Sequence, residues 1–98
     1  MHIISQSELV DKLQSGQPNF YLIDVRDTDE FEEGHIFGSL HIPWETIIER
    51  TKGIKLDREM ILYCNTGVRA NKAAKFLDNA GFKNIFLYKG GMEEWVNH

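Results

Sequence analysis

The sequence predicts an α/β fold with a mainly parallel central sheet and helices on both faces. Three observations predict it. Residues 20–25 (Phe-Tyr-Leu-Ile-Asp-Val) and 60–63 (Met-Ile-Leu-Tyr) are apolar, β-prone runs, of the kind found in strands covered on both faces. Segments with helical apolar spacing lie between the strand candidates. Strands that alternate with helices need crossovers, and crossovers make neighbouring strands parallel.

Taken in order, Ile3-Ile4 is a short edge-strand candidate, and Ser5-Gln6-Ser7-Glu8 is a capping-box pattern. It opens a helix with Leu9, Val10 and Leu13 on one face, ending near Gly16. After the strand at 20–25, residues 27–33 form a short acidic helix or turn that Gly34 stops. Leu40-His41-Ile42 is a short strand stopped by Pro43, and 44–50 a helix with Trp44, Ile47 and Ile48 at helical spacing. Residues 60–63 are the second clear strand. Residues 68–79 are the second clear helix, with Val68, Ala73, Phe76, Leu77 and Ala80 as its apolar set and Gly81 suited to its C-cap. Residues 85–88 form the last strand, Gly90-Gly91 a turn, and 92–96 a short terminal helix. Pro18 and Pro43 fall at element edges, where a missing N–H is tolerated.

Ninety-eight residues, 42% of them hydrophobic, suit one domain, 1–98, with one core. The net charge of −4 and the lack of a Lys/Arg run argue against a nucleic-acid surface. The first ten residues have neither a basic n-region nor a long apolar stretch, so neither a signal peptide nor a membrane span is expected. A single cysteine cannot form an internal disulfide, which fits a reducing compartment, and cytoplasm is the default location. His2, His35, His41 and His98 are scattered without zinc-ligand spacing, so no metal is expected.

That cysteine, Cys64, ends the strand at 60–63. Asn65, Thr66, Gly67, Val68 and Arg69 follow, and a helix starts among them. In parallel sheets ligands bind beyond the carboxyl ends of strands, which is where Cys64 falls. A thiolate is the nucleophile, and three features favour it here. The helix near Val68 aims its positive end at the loop. The amides of residues 65–69 are placed to curl into an anion-binding nest. Arg69 adds a permanent charge. Gly67 lets the backbone curl tightly, and Asn65 and Thr66 are small polar residues at the rim. A buried structural cysteine is the plainer alternative. It is weakened by the polar residues, glycine, arginine and helix start that follow. Four residues separate Cys64 from Arg69. A tetrahedral phosphate needs a larger ring; the short loop suits a smaller bound group, such as one extra sulfur atom. The sequence shows no obvious acid beside the loop to protonate an alkoxide leaving group, and sulfite would need none.

These residues resemble the rhodanese (thiosulfate sulfurtransferase) family in its single-domain form. Cys64-Asn65-Thr66-Gly67-Val68-Arg69 resembles the family's loop of Cys, four residues, Arg. Leu22-Ile23-Asp24-Val25-Arg26 resembles its first-strand signature. The segment from Phe31 to Pro43, with Gly34-His35-Ile36 and Ile42-Pro43, resembles its Glu-x-x-x-Gly-His-Ile…Ile-Pro block, and Gly90-Gly91…Trp95 its closing block. Four blocks in order are far more specific than Cys-x4-Arg alone.

The resemblance implies a three-layer rhodanese-like domain and a thiosulfate sulfurtransferase working through a Cys64 persulfide, without a cofactor. Residues 65–69 would bind a small anionic sulfur donor, and the acceptor would be cyanide or a thiol, on a small molecule or a protein. With no second cysteine, transfer must be intermolecular. Phosphatases and arsenate reductases of the same fold carry a longer loop, and cysteine-less homologues act as binding modules; both readings stand as alternatives. Asp24 and Arg26 share a strand face and are expected to form a structural ion pair beside the site. His35 is expected to pack in its turn, and Trp44 and Trp95 in the core and at its edge. Glu30, Glu32, Glu33, Glu93 and Glu94 read as solvated helix ends or faces. Lys72, one turn into the helix at 68–79, is expected to be exposed, with its charge toward the mouth of the loop.

Overall fold

The computed structural model describes residues 1–16 and 19–97. Its elements run β1 (His2–Ile3), α1 (Gln6–Gln14), β2 (Phe20–Asp24), α2 (Thr28–Glu33), β3 (Leu40–His41), a 3-10 turn (Trp44–Thr46), α3 (Ile47–Arg50), β4 (Glu59–Tyr63), α4 (Val68–Asn79), β5 (Asn84–Leu87) and α5 (Gly91–Val96). The five strands form one sheet in the order β1-β5-β4-β2-β3, and every pairing is parallel. The central strand, β4, pairs along its whole length with β2 and for four residues with β5.

Side-chain alternation along β4 divides the core. Met60, Leu62 and Cys64 face one layer, built with Ala70, Ala73, Ala74 and Leu77 of α4 and with Ile47 of α3. Ile61 and Tyr63 face the other, with Leu9 of α1 and Met92 of α5. The expected α/β architecture, a parallel sheet with helices on both faces, is therefore present.

Local chemistry explains the element boundaries. Ser5 Oγ accepts from the Glu8 N–H at 3.1 Å and Glu8 Oε1 accepts from the Ser5 N–H at 2.9 Å, so the expected capping box opens α1. The Ser5 N–H, helped by the Ser5 side chain, holds the Glu8 carboxyl below its ordinary value. At the end of α4, Gly81 takes φ +99°, and the Phe82 N–H reaches back to the Leu77 carbonyl at 3.1 Å, a Schellman-type stop. The segment expected as one helix over 44–50 is a 3-10 turn that passes into a short α-helix. Pro18 and His98 lie outside the described residues.

Two expectations need correction. The buried stripe of α4 is Ala70, Ala73, Ala74 and Leu77, an i, i+3, i+4, i+7 pattern. Ala73 and Leu77 were expected there, but Val68 is 62% exposed, Phe76 is 44% exposed and Ala80 is exposed. Alanines let α4 lie close on the sheet, which turns the bulkier Val68 and Phe76 outward. Phe76 stacks on Trp44 with ring centroids 6.3 Å apart, and Lys72 lies over the same Trp44 ring, 5.2 Å from its centroid. Gly91 is the first residue of α5 rather than part of a free turn.

The corrected stripe makes a prediction. Leu77→Ala should cost about 2–5 kcal/mol, the range for emptying a packed core site, and Phe76→Ala under about 1.5 kcal/mol. Urea denaturation of the two variants should separate them; equal costs would contradict this orientation of α4.

Candidate active site

Cys64 follows directly on β4 and is 1% exposed. Its Sγ accepts from the Gly67 N–H at 3.1 Å and from the Ala70 N–H at 3.4 Å. The first donor belongs to the loop and the second to the first turn of α4, where helix N–H groups have no partner within the helix. The sulfur thus sits where backbone dipoles favour negative charge. Gly67 takes φ +95°, and a Cβ there would lie 3.0 Å from the Lys89 carbonyl oxygen. Both the backbone curl and the close approach of the 88–90 segment require glycine. Asn65, Thr66 and Val68 are exposed around this floor.

The back of the loop rests on α5. The Met92 N–H donates to the Cys64 carbonyl at 2.9 Å and the Glu93 N–H to the Asn65 carbonyl at 3.2 Å. Gly91, at φ +63°, lies so close that a Cβ would stand 2.4 Å from the Cys64 carbonyl oxygen and 2.5 Å from that of Asn65. Two free N–H groups of α5 therefore satisfy two loop carbonyls.

Arg69 is half-buried beside this floor, and its guanidinium is engaged. Nη1 and Nη2 donate to Glu30 Oε1 and Oε2 at 2.6 and 3.0 Å, a bidentate fork. Asp27 Oδ2 lies 3.9 Å from Nη1. Glu30 also accepts from the Asp27 N–H at 3.1 Å. The Arg69 bond, helped by this N–H, pulls the Glu30 carboxyl from its ordinary 4.5 down to about 2. In return, Glu30 raises the pKa of Arg69.

Asp24 and Arg26 form the expected ion pair, buried at the end of β2. Arg26 Nη2 donates to Asp24 Oδ2 at 2.8 Å, and Nε is 3.1 Å from both carboxylate oxygens. Nη2 also donates to the Gly34 carbonyl at 2.6 Å. Tyr63 ties down the same segment: its hydroxyl accepts from the Ile36 N–H and donates to Ser39 Oγ, both at 3.1 Å. Burial pushes this phenol well above its ordinary value. His35 packs in its turn as expected, stacked on Phe31 with ring centroids 3.8 Å apart. Among the described residues, no group of three or more His, Cys, Asp or Glu side chains is placed to hold a metal ion. No helix among them is long and apolar enough to cross a membrane.

The family model of the rhodanese-like domain matches residues 5–98. The chain belongs to the rhodanese family. Its rhodanese domain is 38% identical over 85 residues to the uncharacterized protein YqhL of Bacillus subtilis, covering 87% of this chain and 68% of that protein. It is 35% identical over 94 residues to the thiosulfate:glutathione sulfurtransferase of Saccharomyces cerevisiae, covering 83% of this chain and 68% of the relative. Among solved structures it superposes on the human single-domain sulfurtransferase with a TM-score of 0.90 at 26% identity, over 99% of this chain and 96% of the other. Membership and these relatives support sulfur transfer, in general terms, as the chemistry of this rhodanese domain.

Of the residues singled out in the sequence, the fold gathers Cys64 to Arg69 in one loop and helix start. Asp24 and Arg26 stand behind it on the opposite face of the sheet. Glu30 is the residue that reading missed. Expected to be solvated, it is half-buried and holds Arg69. The signal was its place four residues before Gly34, the glutamate position of the Glu-x-x-x-Gly-His-Ile block. Glu32, Glu33, Glu93 and Glu94 are exposed, as expected.

Two predictions follow from this geometry. Gly91→Ala should cost more than about 2 kcal/mol, since a carbonyl must move. Gly16→Ala, at φ +72° with open space around it, should cost only about 1 kcal/mol; equal denaturation midpoints would contradict the close approach. The second concerns acid. Because Glu30 has a lowered pKa in the fold, the unfolded chain binds more protons there, and stability rises with pH across that window. The contribution is complete above the usual 4.5 and is lost as pH falls toward about 2. Glu30→Gln should flatten the stability–pH curve in that window, as followed by denaturation at stepped pH.

Proposed function

We propose that this chain, as a single rhodanese-like domain over residues 1–98, moves sulfane sulfur from thiosulfate or a similar donor to a thiol or cyanide through a persulfide on Cys64. The observation that carries the reading is the pair of N–H groups, from Gly67 and Ala70, at 3.1 and 3.4 Å from Sγ. In the first half-reaction the Cys64 thiolate attacks the outer sulfur of the donor. The new S–S bond forms as the donor's S–S bond breaks, and with thiosulfate the electron pair leaves on sulfite. In the second, a thiolate or cyanide attacks the outer sulfur of the persulfide and the Cys64 thiolate returns as leaving group. No net oxidation occurs and no cofactor is needed. The persulfide carries its charge one atom farther out than the thiolate does, over the rim where Asn65, Thr66 and Val68 surround the floor. With no second cysteine in the sequence, the acceptor comes from outside the chain. The absence of a lysine or arginine run fits a small or protein-borne thiol partner rather than a nucleic acid. The cytoplasm suits such chemistry, because its thiols are kept reduced.

Intact-protein mass spectrometry tests this. After incubation with thiosulfate the wild type should gain one sulfur atom, and cyanide should remove it as thiocyanate. Cys64→Ser should gain none and lose at least about 10³-fold in turnover. Sulfur uptake or full activity by Cys64→Ser would overturn the assignment.

A further inference from the structure

Arg69 is the loop's cation that a donor's sulfonate would seek, and each arm of its fork already donates to Glu30. Glu30 holds them at 2.6 and 3.0 Å, and Asp27 stands 3.9 Å away. One positive charge therefore faces two carboxylates. The groove on this side of the loop, about 460 Å³, passes Asn65, Met92 and Val96 and is charged by Glu30, Glu33 and Glu93. Arg26 also borders it, but its charge is matched by Asp24 at 2.8 Å. The hollow on the far side of Thr66 sets Lys89 against Glu93 and Glu94. Lys72, the other cation near the helix start, is drawn over the Trp44 ring.

These charges discriminate between donors. Thiosulfate is a dianion, and its sulfonate is bonded directly to the sulfur being transferred. At the floor of the loop that group meets a guanidinium already neutralised and a carboxylate behind it. Repulsion at such short range is large where solvent is partly excluded. A sulfane sulfur on an uncharged or cationic carrier brings only the charge of the sulfur itself, which the Gly67 and Ala70 N–H groups meet.

We propose that Glu30 is a specificity-determining residue: by pairing with Arg69 it disfavours dianionic donors such as thiosulfate relative to sulfane sulfur on carriers that are uncharged or cationic next to that sulfur. The inference rests on the reading of Cys64 as sulfur carrier and names the substrate class for that same site.

The experiment compares two donors that differ by one charge, thiosulfate and methanethiosulfonate, with cyanide as acceptor and thiocyanate as readout. With methanethiosulfonate the Cys64 thiolate takes the outer sulfur and methanesulfinate leaves, so atoms and electrons balance as they do for thiosulfate. The wild type should favour methanethiosulfonate in kcat/KM. Glu30→Gln should move the ratio about tenfold toward thiosulfate, chiefly by lowering the KM for thiosulfate. The wild type alone supplies a second measurement that no folding defect can spoil. Raising salt from about 0.01 to about 0.1 M shortens the screening length from about 30 to about 10 Å and should raise kcat/KM for thiosulfate more than for methanethiosulfonate. The proposal is overturned if Glu30→Gln lowers both donors equally, which is the signature of a strut that merely positions Arg69. It is also overturned if thiosulfate turnover falls with salt, as a free Arg69 clamp requires. Full activity of Cys64→Ser with both donors would instead overturn the carrier reading beneath it.

Discussion

The loop that holds Cys64 depends on the close contact between its back and the start of α5. Two carbonyls, those of Cys64 and Asn65, would otherwise be without partners near a buried strand end, where an unmade hydrogen bond costs about 1–3 kcal/mol. The Met92 and Glu93 N–H groups meet them at 2.9 and 3.2 Å. They reach only because residue 91 has no side chain. With these carbonyls fixed behind the loop, the Gly67 and Ala70 N–H groups turn forward to the sulfur. The cradle is thus clamped between two helix starts, that of α4 in front and that of α5 behind. Its donors are in place before any ligand arrives, and preorganised dipoles stabilise charge without a reorganisation cost at the moment of reaction.

The alternation of β4 assigns different work to its two faces. Cys64 points to the layer of α4, where small alanines bring the helix close enough for an Ala70 N–H to reach sulfur. Tyr63, one residue earlier, points to the other layer and binds Ile36 and Ser39. On the same face as Tyr63, Arg26 grips the Gly34 carbonyl. These bonds fasten the segment after α2, and α2 carries Glu30. Asp24 and Arg26 therefore act at a distance, by fixing the element that reaches round to Arg69. A buried ion pair is costly to desolvate and destructive to break singly; here its remaining hydrogen-bond capacity is used by the backbone it positions.

Much of this was legible in the sequence, for physical reasons. The buried strands at 20–25 and 60–63 announce themselves because a strand covered on both faces must be apolar throughout. The bounds of α4 were legible because Gly67 and Gly81 punctuate both ends. Its inner face was not, because the reading weighted large apolar residues, whereas close packing on a sheet selects alanine. The loop was legible because cysteine, glycine and arginine each have a distinct physical role at fixed spacing. Glu30 was signalled only by its place four residues before Gly34; its partner is 39 residues away, so local spacing does not show that its carboxylate folds back onto a guanidinium. Gly91 was hidden in the same way: its reason for being glycine is a contact across the fold.

The Glu30–Arg69 pair also decides how the site must handle charge. In the proposed cycle a persulfide keeps one negative charge at Cys64 throughout, moved outward by one sulfur atom. A free arginine would hold any incoming anion tightly, and binding donor and transition state alike lowers KM without raising kcat. An arginine already paired contributes a weaker, more even field, leaving the directional stabilisation to the backbone N–H groups at the sulfur. Such an arrangement gives up tight capture of small dianions. Beside it runs the groove past Met92 and Val96, where apolar side chains lie between carboxylates. On the proposed reading, selectivity comes from the carrier that presents the sulfur, and the chemistry at Cys64 is the same for every carrier.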